Sequence, residues 1–342
     1  FCPNCGIRTI YTSADDETLS AGVDSGSETE KEIIESYFYA GYEYETIISF
    51  LCKHHAITMS LSTLKRRLKQ YGLKRKTGDE VSNDELAEII RKEIDGPSCV
   101  SGYRALWHTL RLKYQICVPR ARVQALLKEM DPIGTELRKR HRLKRRAYQS
   151  PGPNHCWHVD GYDKLKPYGF PIHGAIDGYS RRMLWLKVTK TNSNPAVIAK
   201  FYHDCIEELG GCPRVLTTDP GTENVQIAAL QCYLRGNSAD DLAGEKSHRY
   251  VASTANQRIE CWWSSLRRSR TSWWINFFKD LSDNAVFVNG DTYHMECLWF
   301  CFNEILQQDL DFFRIHWNTH SIRQSRHDTI AGKPDELFFL PE

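Results

Sequence analysis

Residues 155–189 read HCWHVDGYDKLKPYGFPIHGAIDGYSRRMLWLKVT, and their texture governs the reading of the chain on either side. Apolar or alternating runs at 155–162, 171–176 and 183–189 are separated by turns rich in Gly and Lys, the pattern of three successive antiparallel strands. Downstream, periodicity predicts a helix over 195–209, a buried strand over 214–218 that ends at Asp219, and helices near 225–234 and 254–270. Strands first and interleaved helices later predict a mixed α/β domain.

Upstream the texture is helical. Ile33, Ile34, Tyr37 and Phe38 recur at three- and four-residue spacing, Gly41 breaks the run, and Ile47, Ile48 and Leu51 carry a second helix to about residue 55. A third helix is expected to start after Ser62 as its N-cap, with Leu64 and Leu68 inward and Lys65, Arg66, Arg67 and Lys69 outward. A second trio follows, with Asn83 capping 84–94, a helix over 102–114, and a third introduced by Val118-Pro119. In that last helix Val123, Leu126 and Leu127 face inward and Arg120, Arg122 and Lys128 outward. Three short helices ending in a basic one make each trio a helix-turn-helix candidate, against the plainer alternative of a three-helix packing unit. The third helix of such a unit enters the major groove, so Lys65, Arg66, Lys69 and Gln70 in the first, and Arg120 and Arg122 in the second, are the expected DNA contacts.

Charge follows the same division. The net charge of +2 combines −7 over residues 14–36 (eight acids against Lys31) with +11 over residues 37–150 (23 Lys/Arg against 12 Asp/Glu). A basic block behind an acidic tail is the footprint of a polyanion-binding protein, so charge points to nucleic acid, and the helix-turn-helix candidates make double-stranded DNA the expected partner. Residues 138–146, RKRHRLKRR, hold seven Lys/Arg and no acid. They are expected to contact phosphate, Lys144 and Arg145 among them, and to double as a nuclear-import signal, which predicts a nuclear protein. Pro151-Gly152-Pro153 then marks a boundary. With 342 residues the chain is long enough for two or three folding units, which excludes peptide-hormone and knottin-like readings. A mean hydropathy of −0.51 and a longest apolar run of six residues (297–302) fit a soluble protein with no membrane partner. Its twelve cysteines are scattered and no secretory leader opens the sequence, so a reduced intracellular compartment is expected. The first residue is Phe, and the true start is expected upstream.

With 43 acids, a pattern of two Asp and one Glu has weight only through local context. Asp160 ends a predicted strand in WHVD, Asp219 ends another in VLTTDPGTEN, and Glu260 sits on a predicted helix in NQRIECWW. Carboxylates at strand ends and on an adjoining helix can converge at one sheet edge, where two Mg²⁺ ions need several hard oxygen ligands.

WHVDGYDKL, AIDGYSRR, TDPGTEN and ANQRIECWW resemble, in this order, the signatures of the retroviral-type integrase core. Two helix-turn-helix units ahead of such a core are also similar in layout to bacterial insertion-sequence transposases and to integrase-core genes of eukaryotic DNA transposons. The resemblance covers about residues 30–280 and is strongest over 155–270. It implies a multidomain chain: N-terminal all-α helix-turn-helix units followed by an α/β ribonuclease-H-like integrase core. In that division 1–29 is a disordered lead with a CxxC, 30–78 the first helix-turn-helix, 79–135 the second helical unit, 136–153 the basic linker, 154–280 the core and 281–342 a helical appendage.

The same resemblance implies that Asp160, Asp219 and Glu260 are the catalytic, metal-binding residues. It implies Mg²⁺ as cofactor with Mn²⁺ able to substitute, strand cleavage followed by strand transfer, and a homo-oligomer on DNA. Gly221 and Asn224 match the turn after the second Asp, and Arg267 matches a phosphate-contacting position two helical turns beyond Glu260. Two departures stand out. Asp219 and Glu260 are 41 residues apart, longer than in retroviral integrases, which predicts an insertion around 236–244, and Ser264 stands where a basic residue is usual. The competing reading is a domesticated DNA-binding regulatory or structural protein that keeps the core as an inactive scaffold.

Other constellations point less far. Asp163, Glu223 and Glu245 are read as unrelated to the triad, and Asp177 as the organiser of a strand turn. Cys2 and Cys5 form half of a zinc site, which Cys52 and His55 would complete, and the plainer expectation is an unfilled site. His294, Cys297 and Cys301, with His316 and His320, are expected to belong to a packed aromatic helix. Trp262-Trp263 and Trp273-Trp274 are expected to pack in the core rather than stack on bases.

Overall fold

The computed structural model describes residues 29–75, 81–96, 101–132, 135, 148, 150–324 and 330–341. Two three-helix groups precede the sheet. Helices α1 (Glu30–Tyr39), α2 (Tyr44–His55) and α3 (Leu61–Gln70) close around Ile34, Phe38, Ile47, Leu51, Leu64 and Leu68. Helices α4 (Asn83–Ile94), α5 (Tyr103–Tyr114) and α6 (Arg120–Met130) close around Leu86, Ile90, Leu106, Leu110, Val123 and Leu127.

Two helix starts differ from expectation for one physical reason. Helix α3 is capped by Ser60, whose hydroxyl accepts the Thr63 amide at 3.2 Å, and α4 by Ser82, which accepts that of Glu85 at 3.1 Å. In each case the residue before the cap, Met59 or Val81, shares a core with the fourth helical residue, Leu64 or Leu86. That hydrophobic staple selects Ser60 over Ser62 and Ser82 over Asn83.

The strands β1 (Cys156–Tyr162), β2 (Ile172–Asp177) and β3 (Met183–Val188) pair antiparallel in succession, as the sequence predicts. On the other side of β1, β4 (Val215–Thr218) and then β5 (His248–Tyr250) add in parallel, for an order β3-β2-β1-β4-β5. Period-two alternation divides the residues between the two faces. Trp157, Val159 and Leu216 pack with Ile198 and Tyr202 of α7 (Pro195–Leu209) and Ile227 of α8 (Val225–Leu234). Tyr162, Ile172 and Ile176 pack with Trp262 and Trp263 of α9 (Gln257–Leu266) and Phe278 of α10 (Ser272–Asp283). The helix expected over 254–270 starts later, at Gln257, and the helical run continues past 270, with a π-helical turn, Arg267–Thr271, joining α9 directly to α10.

The 28-residue α11 (Thr292–Thr319) lays Leu298, Leu306, Leu310 and Phe313 on that second face. A helix packed on one side buries one stripe, and His294, Cys297 and Cys301 fall outside it and are exposed, against the packed position expected for them. Helix α12 (Pro334–Phe339) returns to the N-terminal helices. Its Asp335 accepts the Tyr42 hydroxyl at 2.9 Å on one oxygen and the Arg182 guanidinium at 2.8 Å on the other. No helix among the described residues is long and apolar enough to cross a membrane.

Candidate active site

Strand register brings the first two carboxylates together. His158 of β1 lies beside Thr217 of the parallel β4, so two residues further along Asp160 and Asp219 reach the same end of neighbouring strands. Strand β1 runs on to Tyr162, the end expected for the 155–162 run, so Asp160 lies within the strand rather than at its end and pairs with Gly174 of β2.

Helix α9 brings the third. Asn256, directly before it, is buried against β1, where its Oδ1 meets His158 Nδ1 at 2.7 Å and its Nδ2 donates to the Val159 carbonyl at 3.0 Å. One turn later comes Glu260, whose amide donates to the Asn256 carbonyl at 3.3 Å. Trp263, a further three residues on, donates its indole N–H to Asp160 Oδ2 at 2.8 Å. Gly174 leaves room for that ring, since a Cβ there would stand 3.0 Å from Trp263 Cη2 and 3.1 Å from the Trp185 carbonyl oxygen.

These surroundings shift the acids. Burial, opposed by the Trp263 hydrogen bond and reinforced by the like charges of Glu260 and Asp219, pushes the Asp160 carboxyl up to about 7. Burial and Asp219 raise Glu260, while Lys164 acts in the opposite sense. Asn224 Nδ2 is shared between Asp219 Oδ1 at 2.8 Å and Glu223 Oε1 at 3.2 Å, and the other amide atom, Oδ1, is buried without a partner. Glu223, read from sequence as unrelated, thus sits beside the second Asp, and its carboxylate folds over Gly221. Three hard oxygen donors, two of them raised by burial and by the like charge of their neighbours, beside an unsatisfied amide oxygen, fit a divalent cation. The triad is more open than a preformed cage. Among the described residues, His203, Asp204 and Glu207 on the outside of α7 are the group whose ligand atoms all lie within 4.8 Å of one another, and all three are exposed.

The remaining sequence candidates fall in several places. Lys65, Arg66, Lys69 and Gln70 are exposed on α3, and Lys65 and Lys69 border a cavity of about 270 Å³ with Tyr44 and Lys74. Arg120 is exposed with its guanidinium 4.2 Å over the Trp107 ring, whereas Arg122 turns inward to Asn83 Oδ1 at 2.7 Å and the Val81 carbonyl at 2.6 Å. Arg267 is exposed at the first residue of the π-helical turn, and its charge acts on Tyr162. Lys144, Arg145, Cys2 and Cys5 lie outside the described residues, while Cys52 is exposed and His55 is bonded to the Tyr37 hydroxyl at 3.0 Å. Asp177 does organise its turn, accepting the amides of Asn154, Tyr179 and Ser180 and the Ser180 hydroxyl. Trp262, Trp263 and Trp274 are buried in the core. The sequence reading missed Trp263 as a partner of Asp160 and Lys164 as the cation near Glu260. Both residues were visible in WHVDGYDKL and ANQRIECWW, but their pairing is not a local property.

The profile of the family described as Integrase core domain matches residues 147–339. Among solved structures, a chain from the simian T-cell lymphotropic virus intasome in complex with the PP2A regulatory subunit B56 gamma is similar at 16% identity and a TM-score of 0.38, covering 72% of this chain and 74% of that one. No curated protein matches the sequence. With more than half of its length in the family match, and with the signature motifs in order along it, the chain belongs to the integrase core domain family and carries a retroviral-type integrase core.

Proposed function

We propose that the protein is a DNA integrase or transposase that cuts a DNA strand and joins its end to another duplex by in-line displacement at phosphorus. The observation that carries this reading is the convergence of Asp160, Asp219 and Glu260 from β1, the end of β4 and α9, where Asp160 is held near a pKa of about 7. Asp160, Asp219 and Glu260 would hold Mg²⁺, or Mn²⁺ in its place. Bound there, the metal supplies activation of the attacking water or 3′-hydroxyl and charge stabilisation at the leaving oxygen. The chain's own groups prepare the site. Trp263 orients the Asp160 carboxylate, Asn224 pins that of Asp219, and Lys164 contributes positive charge near Glu260, where a scissile phosphate would approach. The intact acidic triad favours an enzyme over an inactive scaffold.

The sheet order, with two antiparallel pairings followed by two parallel ones and helices on both faces, supports a ribonuclease-H-like core over 154–280. The exposed basic face of α3 supports a helix-turn-helix role for 30–78, and α4–α6 form a second unit of similar plan over 79–135. Joining two ends to one target requires two active centres, so the working form is a homo-oligomer on double-stranded DNA, and the basic run 138–146 directs it to the nucleus. The test is nicking of supercoiled plasmid with Mg²⁺, with Mn²⁺ and with chelator, for the parent and for Asp160→Asn, Asp219→Asn and Glu260→Gln. Metal-dependent nicking lost in all three variants is expected. Nicking that survives in all three would overturn the assignment.

A further inference from the structure

We propose that Tyr148, His158 and Asn256 form a positioning relay that holds α9, and with it Glu260, against Asp160, with Tyr148 as its outermost member. The proposal rests on the carboxylate reading of the site and extends it to a residue outside the triad. Hydrogen-bond chemistry fixes the direction of each link. Asn256 Nδ2 donates to the Val159 carbonyl at 3.0 Å, so its Oδ1 is an acceptor, and His158 Nδ1, 2.7 Å away, carries the proton. In the singly protonated ring Nε2 accepts, and the Tyr148 hydroxyl at 2.6 Å is its donor. Asn256 passes the constraint onward through its backbone carbonyl, which accepts the Glu260 amide at 3.3 Å.

The position of Tyr148 is built rather than incidental. Gly178 follows Asp177 in the β2–β3 turn, and a Cβ there would stand 2.7 Å from the Tyr148 hydroxyl oxygen and 3.0 Å from the Cys156 carbonyl oxygen. The Arg258 guanidinium, two residues before Glu260, lies 4.1 Å over the Tyr148 ring and donates to the Tyr148 carbonyl at 3.4 Å. One side chain therefore touches β1, the β2–β3 turn and α9. In sequence it follows the basic run 138–146 by two residues, so the relay ties the chain leaving that run to the helix that carries Glu260.

The test uses the full chain with Tyr148→Phe, which keeps the ring and deletes the donor, and with Gly178→Ala, which displaces the hydroxyl while keeping every relay group chemically intact. Hydrogen–deuterium exchange of the α9 amides and Mn²⁺ binding by calorimetry are read beside Mg²⁺-dependent nicking. Each single variant is expected to exchange about fivefold faster in α9 and to bind Mn²⁺ about fivefold more weakly, the scale of one missing hydrogen bond, with β2 and β3 unchanged. The double variant is expected to be no worse than either single. Parental exchange in α9 and parental Mn²⁺ affinity in Tyr148→Phe overturn the relay. Equal acceleration across β2, β3 and α9 also overturns it, because it marks general loosening. If the parent neither nicks DNA nor binds Mn²⁺, the carboxylate reading fails, and α9 exchange alone decides the relay.

Discussion

The indole N–H of Trp263 reaches Asp160 Oδ2 across 2.8 Å from a position one turn beyond Glu260 on the same helix. One element thus supplies both an acid of the candidate site and the hydrogen bond that steadies another. Trp263→Phe keeps a ring over Gly174 and removes a donor that favours the ionised carboxylate. The Mg²⁺ concentration for half-maximal nicking is expected to rise about tenfold, the scale of one hydrogen bond to a charged group. A Phe variant with the parental Mg²⁺ curve would detach Trp263 from the site.

Asp160 is held at about 7 in the fold against 3.8 in an open chain, so the folded state binds its proton more tightly. The stability this contributes is complete below pH 3.8 and is lost as pH rises through about 7, leaving an ionised group that costs on the order of 2–4 kcal/mol at pH 8. Without metal, Asp160→Asn should therefore melt above the parent at pH 8 and gain much less at pH 5. Adding Mg²⁺ should raise the parent's melting temperature and leave the variant's unchanged.

His173 and His316 behave in the opposite sense. Burial lowers each to about 3, so both rings are neutral inside the fold and titrate near 6.5 once it opens. Their contribution is complete above pH 6.5 and falls as pH drops toward 3, by about 1.4 kcal/mol per unit for each ring. Urea unfolding at pH 7 and pH 5 should show that loss, and equal free energies at the two values would mean that the rings are already open to protons.

Asp335 is mostly buried between Tyr42 and Arg182, and removing one member of such an arrangement leaves the others unsatisfied. Asp335→Ala should cost about 3 kcal/mol. Hydrogen exchange should rise around Tyr42 and at the start of β3 together. A rise confined to α12 would mean that Asp335 does not join the two regions.

The proposed DNA binding through α3 predicts a specific salt response. Lys65→Ala, Arg66→Ala and Lys69→Ala should each reduce the log–log slope of affinity against salt by about 0.9, because each phosphate left without its cationic side chain keeps its own counterion. Arg122→Ala should leave the slope unchanged and lower stability instead, because its guanidinium holds Asn83 and the Val81 carbonyl. The reverse pattern would move the DNA surface from α3 to α6.

Local pattern was enough for most elements. Helix α7 and the three antiparallel strands follow from periodicity, and the role of Asp177 follows from the DGYS sequence, because a carboxylate closing its own turn needs only near neighbours. Where the sequence misled, a distant partner decided. Strand β5 is three residues, His248–Tyr250, with no pattern of its own, and exists by pairing with β4. Trp263 and Asp160 are 103 residues apart, and the space that lets them meet is an absence of side chain at Gly174. Glu223 looks like any loop acid until the Asn224 amide joins it to Asp219. The aromatic composition of α11 suggested burial for its cysteines, but composition does not say which side of a helix meets the sheet.

The bridge from Tyr42 through Asp335 to Arg182 has a geometric consequence. The Lys333 ammonium lies 4.2 Å over the Tyr42 ring, and Arg111 donates to the Phe38 carbonyl at 2.8 Å, so the first helical group is fastened at several points. Under the proposed reading, a unit fastened this way would work as a caliper: with α3 seated on a sequence, the interval to Asp160 along the duplex would be set by the protein, and the cut would fall at a constant offset whatever bases lie between.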